Sequence, residues 1–363
     1  MSNYKIIVSA GGTGGHIIPA LNVCCALRAK GIEVFYIGNK KSMEETIIQK
    51  HDFSFLSINV QKLYRSYTIK HLFFPFKLLI SILVCLKYFI KIRPLAYIGF
   101  GGYVSGPPAI VAKLLHCPIY IQEQNAKPGI TNIWVGKFAQ KVFLGFLQAQ
   151  IFFPPQKCIE SGNPIQVCMH PQNKIEFSNN LSVSHFKDKK LRLLVLGGSQ
   201  GSKFINDLIL EHLDWLLEKE FGIFWQTGIN QFSEIKDIIT NKSGITAFSF
   251  TDKIQDYYAF VDCVISRGGA MSLSEIITYK LPVFTIPLEY GKSNEQLYNA
   301  QYIEDNNLGI MFRQRHKSLF QEIFQNFYQK VEQHGFTHSI ESLHHNAAHK
   351  IVEIIVKEMK IYA

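Results

Sequence analysis

Two clusters of glycine residues, half a chain apart, have the residue types and spacing that bind anionic groups. The first lies at residues 11–15 after the apolar run 6–8, and the second lies at residues 197–201 after the apolar run 193–196. An amphipathic stretch follows each cluster. Glycine lets a ligand approach the backbone closely, and the free N–H groups at the start of a helix carry a partial positive charge. Each cluster is therefore predicted to hold a phosphate or a similar anion.

Other candidate residues directly follow predicted strands, because ligands of open parallel sheets bind beyond the carboxyl ends of the strands. In the first half they are a glycine-rich loop at residues 101–107 and the polar triplet 123–125. In the second half they are Ser199, Thr227 and the segment 267–275. These loops are predicted to carry the chemistry of the protein.

The segment 267–275 is the most diagnostic part of the second half. Its glycines would let a helix begin close to a diphosphate, with Glu275 about one turn inside that helix. The carboxylate could accept both hydroxyls of a ribose, or it could simply stabilise the start of the helix. Gln296, on the next predicted helix, could reach a sugar hydroxyl or remain solvated. His16 follows the first cluster, and since histidine exchanges protons near neutral pH, a functional and a structural role are both open.

Several function classes are excluded by what the loops lack. The first loop does not follow the G-x-G-x-x-G order, and no acidic residue ends the second predicted strand, which argues against a dinucleotide cofactor. No Walker lysine follows either cluster, which argues against a P-loop NTPase. No His or Cys set has metal spacing, so no metal and no cofactor is expected. Backbone amides and helix dipoles would then offset the charge of a bound diphosphate.

The elements that must position these loops alternate between strand and helix. The chain has 363 residues, 47% of them hydrophobic and 18% charged, which is typical of a globular protein with two domains. Short apolar runs without strict alternation predict strands that are covered on both faces. We expect an α/β protein with two halves, each a parallel sheet wound with helices, facing each other across a cleft. The predicted strands are residues 5–9, 33–37, 95–99, 118–122, 141–144, 192–196, 222–226, 245–250, 263–266, 283–286 and 308–312.

A break at residues 162–164, followed by the polar stretch 170–190, predicts the boundary between the domains. The first domain is expected at residues 1–163 and the second at residues 164–339. The last segment, residues 340–363, has apolar residues at helical spacing. It is predicted to form a helix that packs back on the first domain.

The charge and cysteine content restrict the partners and the compartment. The net charge is +10, which suits an anionic membrane surface or phosphorylated substrates. The basic residues are scattered and no nucleic-acid motif is present, so nucleic acid is not an expected partner. The seven cysteines include no C-x-x-C pair, which indicates reduced cytosolic thiols. The first residues lead straight into a strand, so no signal peptide is expected.

The most hydrophobic stretch, residues 72–92, allows two interpretations. Its longest uncharged run, residues 78–86, is too short to span a bilayer, which needs about 20 residues. It could be a buried helix of the first domain. Alternatively it could be an interfacial helix, with lysines toward lipid headgroups and phenylalanines below them. The basic and aromatic residues just upstream would extend that interface; they are Tyr64, Arg65, Tyr67, Lys70 and His71.

Six of these segments, in this order, resemble the MurG family of bacterial transferases. They are residues 11–16, 101–107, 123–125, 162–164, 197–201 and 269–275. The resemblance runs from Ile6 to about Ala300, and six ordered motifs are far more specific than one glycine loop. Members of that family add N-acetylglucosamine (GlcNAc) to a lipid-linked muramyl-pentapeptide of peptidoglycan.

The resemblance implies a two-domain GT-B fold and an inverting glycosyltransferase. The second domain would hold the donor UDP-GlcNAc. The first would hold the acceptor lipid I, undecaprenyl-pyrophosphoryl-MurNAc-pentapeptide, whose C4 hydroxyl would attack to give lipid II. The enzyme would work as a peripheral protein at the cytoplasmic face of the inner membrane. Proteins of cell-wall synthesis and division would be its partners.

The site residues carried over by motif position fall into three groups. The donor contacts are Thr13, Gly14, Gly15, Asn125, Ser199, Thr251, Ala270, Met271, Ser272, Leu273, Ser274, Glu275 and Gln296. The residues expected to cradle the diphosphate of the acceptor are Gly101, Gly102, Tyr103, Ser105 and Gly106. The attacking hydroxyl also needs a proton acceptor, and His16 is the candidate for this catalytic role.

Two positions depart from the family pattern. The family usually has an arginine where this chain has Gln166, and a neutral amide cannot replace a charge-assisted hydrogen bond. Thr251 stands where an aliphatic residue is common. Two other functions therefore stay open. One is a related GT-B enzyme that acts on another lipid such as diacylglycerol, and the other is a non-catalytic sensor or scaffold that binds nucleotide sugars.

Overall fold

The computed structural model describes residues 4–61, 74–166, 186, 188–198, 200–289, 294–337 and 343–360. The chain forms two compact units. The first unit comprises Met1–Gln166 together with Leu343–Ala363, and the second comprises Val167–Ser342. Both are α/β units built on one parallel sheet, as the sequence predicts.

The first unit contains a parallel sheet of seven strands in the order β3-β2-β1-β4-β5-β6-β7. The strands are β1 (Lys5–Ser9), β2 (Glu33–Asn39), β3 (Ser54–Ile58), β4 (Ala96–Gly99), β5 (Ile119–Glu123), β6 (Lys141–Leu144) and β7 (Cys158–Glu160). The helices described in this unit are α1 (Gly14–Ala29), α2 (Met43–Lys50), α3 (Phe74–Ile92), α4 (Gly106–Leu114) and α5 (Ile130–Gly136), with the carboxy-terminal helix given below. Short 3-10 helices lie at Tyr103–Ser105, Leu147–Phe152, Pro155–Lys157 and Leu343–Asn346.

The second unit contains a parallel sheet of six strands in the order β10-β9-β8-β11-β12-β13. The strands are β8 (Leu191–Leu196), β9 (Phe221–Gln226), β10 (Ile245–Phe248), β11 (Cys263–Ser266), β12 (Val283–Thr285) and β13 (Gly309–Met311). The helices described here are α6 (Lys203–Glu211), α7 (Leu213–Glu218), α8 (Phe232–Ile239), α9 (Ile254–Phe260), α10 (Ala270–Thr278), α11 (Glu295–Asp305) and α12 (Phe320–Glu332). A 3-10 helix at Gln314–Leu319 precedes α12.

The central strands form because their apolar side chains are covered on both faces of the sheet. In β1, Ile6 and Val8 pack into one hydrophobic cluster and Ile7 packs into the cluster on the opposite face; all three are fully buried. The carboxy-terminal helix α13 (Ala347–Glu358) belongs to the first of these clusters and packs against α1. Buried Ile351 and Ile355 of α13 supply the apolar face.

Two strands of the first unit are absent from the sequence prediction. Strand β3 has serines at both Ser54 and Ser57, and β7 has only three residues, none of them fully buried. Both lie at the edges of the sheet, where one side of the strand has no neighbour. Apolar content is low at such edges, so the sequence signal is weak.

The interpretation of residues 72–92 as a buried helix holds for only one face of α3, which packs into a core of the first unit. Only four of the 19 residues of α3 are buried. Large apolar side chains on its other face are 55–66% exposed, namely Phe76, Leu79, Ile80, Leu83 and Ile90. The upstream residues Tyr64, Arg65, Tyr67, Lys70 and His71 lie outside the described residues, as does most of the predicted linker.

Among the residues that the structure describes, no helix is both long enough and apolar enough to cross a membrane. The six cysteines in that part of the chain are all free, and three of them are buried: Cys24, Cys85 and Cys263.

Candidate functional site

In the first unit the two glycine-rich loops follow neighbouring strands, β1 and β4, where the strand order reverses. The loops are in direct contact: a Cβ on Gly102 would lie 2.3 Å from the carbonyl oxygen of Gly11. Gly102 also has a φ of +77°, which favours glycine. The two loops thus form one glycine-lined surface at the carboxyl end of the sheet.

A buried cluster of hydroxyl groups supports this surface. The Ser9 Oγ lies 2.5 Å from the Tyr97 hydroxyl, which donates a hydrogen bond of 2.9 Å to the carbonyl of Ser105. The Ser105 Oγ in turn donates to the carbonyl of Gly101, 2.8 Å away. Burial raises the pKa of Tyr97, so its hydroxyl stays protonated and remains a donor. Ser105 therefore points into the unit and fixes the shape of the loop.

Helix α1 begins directly after the first glycine cluster. Its N-cap residue, Thr13, makes no side-chain capping bond, and no acidic residue lies in the first turn. A Cβ on Gly14 would meet no atom within 4 Å, so the backbone there is open. Thr13, Gly14 and Gly15 are thereby brought together at a helix start suited to an anion.

His16, in the first turn of α1, is half-buried and faces the polar triplet at residues 123–125, which begins with the last residue of β5. Its Nδ1 lies 2.6 Å from the Oε1 of Gln124. Gln124 is 1% exposed and was not assigned a role in the sequence analysis. The signals for it in the sequence were its place just after a predicted strand and its position in the family motif at residues 123–125.

Glu123 fixes the neighbouring residue Asn125. Its Oε1 accepts hydrogen bonds from the backbone N of Asn125 at 2.9 Å and from the Nδ2 of the same residue at 3.2 Å. Its Oε2 accepts from the Nδ2 of Asn132 at 2.9 Å. Burial raises the pKa of Glu123, and these donors oppose the shift because they stabilise the carboxylate. Asn125 is thus placed by a buried acid at the end of β5.

In the second unit α10 begins at Ala270, directly beyond the end of β11. Its N-cap residue, Gly269, has no side chain, and the first turn contains no acidic residue. The first turn of the helix therefore offers N–H groups without a competing side-chain acceptor. Among the residues predicted on α10, Met271, Ser272 and Glu275 are partly exposed.

Two predicted contacts on the same helix point inward. Leu273 is fully buried in the unit, and the Oγ of buried Ser274 donates to the carbonyl of Ala270 at 2.8 Å. Their side chains shape the helix, and only their backbone belongs to its exposed start.

Glu275 is held by a tyrosine from α9. The hydroxyl of Tyr258 donates to the Oε2 of Glu275 at 3.3 Å. Burial raises the pKa of Glu275 to about 7, and this hydrogen bond acts in the opposite direction. Glu275 is consequently a carboxyl group that changes charge near neutral pH.

Gln296 lies beside the start of α10. A Cβ on Gly268 would be 2.3 Å from the backbone oxygen of Gln296, so α11 closely approaches the loop before α10. The Oε1 of Gln296 accepts a hydrogen bond from the backbone N of Leu288 at 3.0 Å. Gln296 and Glu275 are thus grouped around one helix start.

Four other residues singled out in the sequence are not on α10 or α11. Thr251 follows β10 at the edge of the sheet, where its Oγ1 accepts from the backbone N of Lys253 at 3.1 Å. Tyr103 is half-buried, and its hydroxyl accepts from the Nδ2 of Asn39 at 3.2 Å. Ser199 lies outside the described residues. Gln166 is exposed.

No group of three or more His, Cys, Asp or Glu residues that could hold a metal ion occurs within the described ranges. The groups described at these strand ends are backbone amides at helix starts, the carboxyl groups of Glu123 and Glu275, and half-buried His16.

Both halves of the chain match models of known domains. Residues 6–144 match the glycosyltransferase family 28 N-terminal domain, and residues 192–353 match the glycosyltransferase family 28 C-terminal domain.

Two curated relatives carry the same name, UDP-N-acetylglucosamine--N-acetylmuramyl-(pentapeptide) pyrophosphoryl-undecaprenol N-acetylglucosamine transferase. The protein from Flavobacterium psychrophilum is 34% identical over an alignment of 364 positions, which covers 98% of this chain and 98% of the relative. The protein from Francisella tularensis subsp. holarctica is 35% identical over 329 residues, which cover 88% of this chain and 87% of the relative.

Solved structures share the fold. The crystal structure of Acinetobacter baumannii MurG superposes with a TM-score of 0.77 at 24% identity, covering 98% of this chain and 99% of that one. The UDP-GlcNAc 2-epimerase from Neisseria meningitidis, bound to UDP-GlcNAc, has a TM-score of 0.63 at 12% identity and covers 97% of this chain and 100% of that one.

The two Rossmann-like units, together with the matches to both domains of glycosyltransferase family 28, define a glycosyltransferase of the GT-B class. Within that class, the chain belongs to the MurG family of glycosyltransferase family 28.

Proposed function

We propose that this chain transfers GlcNAc from UDP-GlcNAc to the C4 hydroxyl of lipid I, with inversion at the sugar carbon, and so produces lipid II. The observation that carries the proposal is the start of α10, where an uncapped helix N-terminus lies one to two turns from Glu275. An uncapped helix start suits a diphosphate, and a carboxylate suits a ribose. The names of the full-length relatives point to the same donor and acceptor.

In this proposal the donor binds at the start of α10. The N–H groups of Ala270, Met271 and Ser272 face the diphosphate, and the helix dipole stabilises the charge that develops on UDP as it leaves. Glu275 accepts hydrogen bonds from the ribose, and Gln296 contacts the sugar. Ser199, carried over from the family motif, is a further donor contact in this proposal.

The acceptor binds at the glycine-lined surface of the first unit. Gly101, Gly102 and Gly106 leave room for the diphosphate of lipid I to approach the backbone, and Tyr103 lies beside them. The start of α1, at the same end of the sheet, holds Thr13, Gly14 and Gly15, which the family motif assigns to the donor.

His16 acts as the general base. It removes the proton from the C4 hydroxyl as the oxygen attacks the anomeric carbon, and the electron pair of the broken bond leaves with UDP. The arrangement that supports this role is the contact between His16 and Gln124 at the carboxyl end of the sheet.

The enzyme binds as a peripheral protein to an anionic membrane surface, at its cytoplasmic face. Support comes from α3, whose exposed residues Phe76, Leu79, Ile80 and Leu83 recur at helical spacing on one face. Exposed lysines such as Lys87 would meet lipid headgroups beside this stripe. Proteins of cell-wall synthesis and division would meet the enzyme at that surface.

The proposal is tested by transfer of labelled GlcNAc from UDP-GlcNAc, with a lipid-linked muramyl-pentapeptide analogue and diacylglycerol offered together. We expect label in the muramyl-pentapeptide product alone. Label in diacylglycerol would assign the enzyme to another lipid. Saturable binding of UDP-GlcNAc with neither transfer nor slow hydrolysis would indicate a sensor or scaffold.

A further inference from the structure

Gln124 connects His16 to a group of buried amides, and the hydrogen bonds determine which way its side chain faces. One end of the amide lies 3.0 Å from the carbonyl oxygen of Phe100 and 2.6 Å from the Oε1 of Gln122. Both of these atoms are acceptors, so this end must be the Nε2 amino group. The Oε1 of Gln124 therefore faces the Nδ1 of His16.

The orientation of Gln122 is determined in the same way. Its Nε2 donates to the Oδ1 of Asn163 at 2.9 Å and to the carbonyl of Glu123 at 3.1 Å. The Nδ2 of Asn163 donates to the carbonyl of Gln124 at 3.0 Å, which closes the network. Gln122, Gln124 and Asn163 are at most 1% exposed. Rotating one amide would leave buried donors and acceptors unpaired, which is unfavourable.

The network extends to the carboxy-terminal segment. The backbone N of Asn163 donates to the Nδ1 of His344 at 2.8 Å. Burial lowers the pKa of His344 to about 4, so this ring stays neutral and keeps its acceptor nitrogen at neutral pH. The position of Asn163 is thereby fixed from a second direction.

We infer that Gln124 is a positioning residue that selects the tautomer of His16 needed for general-base catalysis. The inference rests on the proposed function, in which His16 removes the proton of the acceptor. Because the Oε1 of Gln124 can only accept, the Nδ1 of His16 carries the hydrogen and the Nε2 of a neutral ring has the free lone pair. In the transfer step the proton moves from the C4 hydroxyl to that Nε2, the bond from oxygen to the anomeric carbon forms, and the bond to UDP breaks.

The first test compares substitutions that differ in the atom facing Nδ1. Gln124→Met keeps the length of the side chain without an acceptor or a donor, whereas Gln124→Glu, with its second oxygen protonated, keeps an acceptor toward His16 and a donor toward Phe100 and Gln122. We expect kcat of Gln124→Met to fall about 10- to 100-fold, since part of the general-base contribution is lost. The KM for UDP-GlcNAc should change less than about twofold, and Gln124→Glu should recover most of the lost kcat.

The matched control is Gln140→Leu, a glutamine that is exposed in the same unit. It should behave as the wild type. Wild-type kcat in folded Gln124→Met would overturn the inference, and so would equal losses in Gln124→Met and Gln124→Glu.

The second test observes the tautomer itself in the wild-type protein without substrate, by NMR of ¹⁵N-labelled histidine with the His16 signals assigned through His16→Gln. We expect a protonated Nδ1 and an unprotonated Nε2. A hydrogen on Nε2 in the wild type would overturn the inference even if the Gln124 variants do not fold. Full transfer by His16→Gln would instead remove the proposed base, so the two failures are distinguishable.

Discussion

The Nη2 of Arg267 donates a hydrogen bond of 2.6 Å to the Oγ of Ser202, and this contact joins the start of α6 to the loop before α10 in the second unit. Arg267 follows β11 and precedes α10, whereas Ser202 is the N-cap of α6. The same guanidinium donates through Nη1 to the carbonyl of Ile286 at 3.1 Å. Three loops at the carboxyl end of the sheet are thus held by one side chain.

Replacing Arg267 with lysine should loosen both helix starts. The planar guanidinium reaches Ser202 and Ile286 together, and a single ammonium group cannot reproduce that geometry. We expect the free energy of unfolding of Arg267→Lys to fall by about 1–3 kcal/mol, with UDP-GlcNAc binding about 10-fold weaker. Chemical denaturation and calorimetric titration measure the two effects.

The control for this variant is Arg315→Lys, which changes an exposed arginine of the same unit. It should alter neither quantity. If Arg267→Lys binds UDP-GlcNAc as tightly as the wild type does, this side chain does not support the donor site.

Binding of UDP-GlcNAc should strengthen between pH 6 and pH 8. The pKa of Glu275 is raised to about 7, so its ionised fraction increases about tenfold across this range. Only the ionised form accepts from both ribose hydroxyls, and the diphosphate of UDP-GlcNAc does not titrate there. Calorimetric titration should show a Kd that falls by up to about 10-fold with rising pH. Glu275→Gln should flatten this dependence, and a slope that survives in the variant would contradict the assignment.

The same carboxyl group should make stability depend on pH without any ligand. Since burial raises the pKa of Glu275 in the folded state, the folded protein binds the proton more tightly than the unfolded chain. The stability that the raised pKa of Glu275 contributes is fully present below the pKa of this group in the unfolded chain. It is lost as the pH rises through about 7. The wild type should therefore lose thermal stability relative to Glu275→Gln between pH 5 and pH 8. A constant difference between the two melting temperatures would argue against the shifted pKa.

Gly102→Ala should damage the acceptor surface. Its φ of +77° and the 2.3 Å approach to the Gly11 oxygen leave no place for a Cβ. We expect about 1–3 kcal/mol of lost stability and a clear fall in transfer, because both loops must move. Gly129→Ala is the control: a Cβ there would meet nothing within 4 Å. Thermal unfolding and the transfer assay compare the two variants, which should differ; equal behaviour would contradict the contact.

The exposed face of α3 should govern membrane binding. Leu79 and Leu83 are each 55% exposed and one helical turn apart. Leu79→Gln with Leu83→Gln should weaken co-sedimentation with anionic phospholipid vesicles at least about 10-fold, since two leucine side chains no longer enter the interface. Ile229→Gln, which changes a residue 79% exposed in the second unit, should leave vesicle binding unchanged. Equal vesicle binding by the wild type and the Leu79→Gln, Leu83→Gln double variant would show that α3 is not part of the membrane interface.

The sequence predicts the interior of both sheets well because buried strands read as continuous apolar runs. Predicted strands 5–9, 141–144 and 263–266 coincide with β1, β6 and β11. Edge strands β3 and β7 were missed because they have few buried neighbours. The exposure of α3 could not be predicted from the sequence, because a long apolar helix has the same residue pattern whether its outer face packs on protein or is exposed.

Candidate site residues were found where a motif marks a strand end, as with Gly102, His16 and Glu275. The residues whose hydrogen bonds position these candidates were not predicted from the sequence. Tyr258 lies 17 positions before Glu275, and Asn163 lies 41 positions after Gln122. Hydrogen bonds over such separations depend on how the strands are ordered, and the spacing of residue types does not record that order.

A crystal structure with UDP-GlcNAc is the most direct test that the diphosphate of the donor binds at the start of α10. We expect density for the diphosphate against the backbone N–H groups of Ala270, Met271 and Ser272, with the ribose hydroxyls on Glu275. Clear density for the nucleotide elsewhere, with these groups unoccupied, would contradict it.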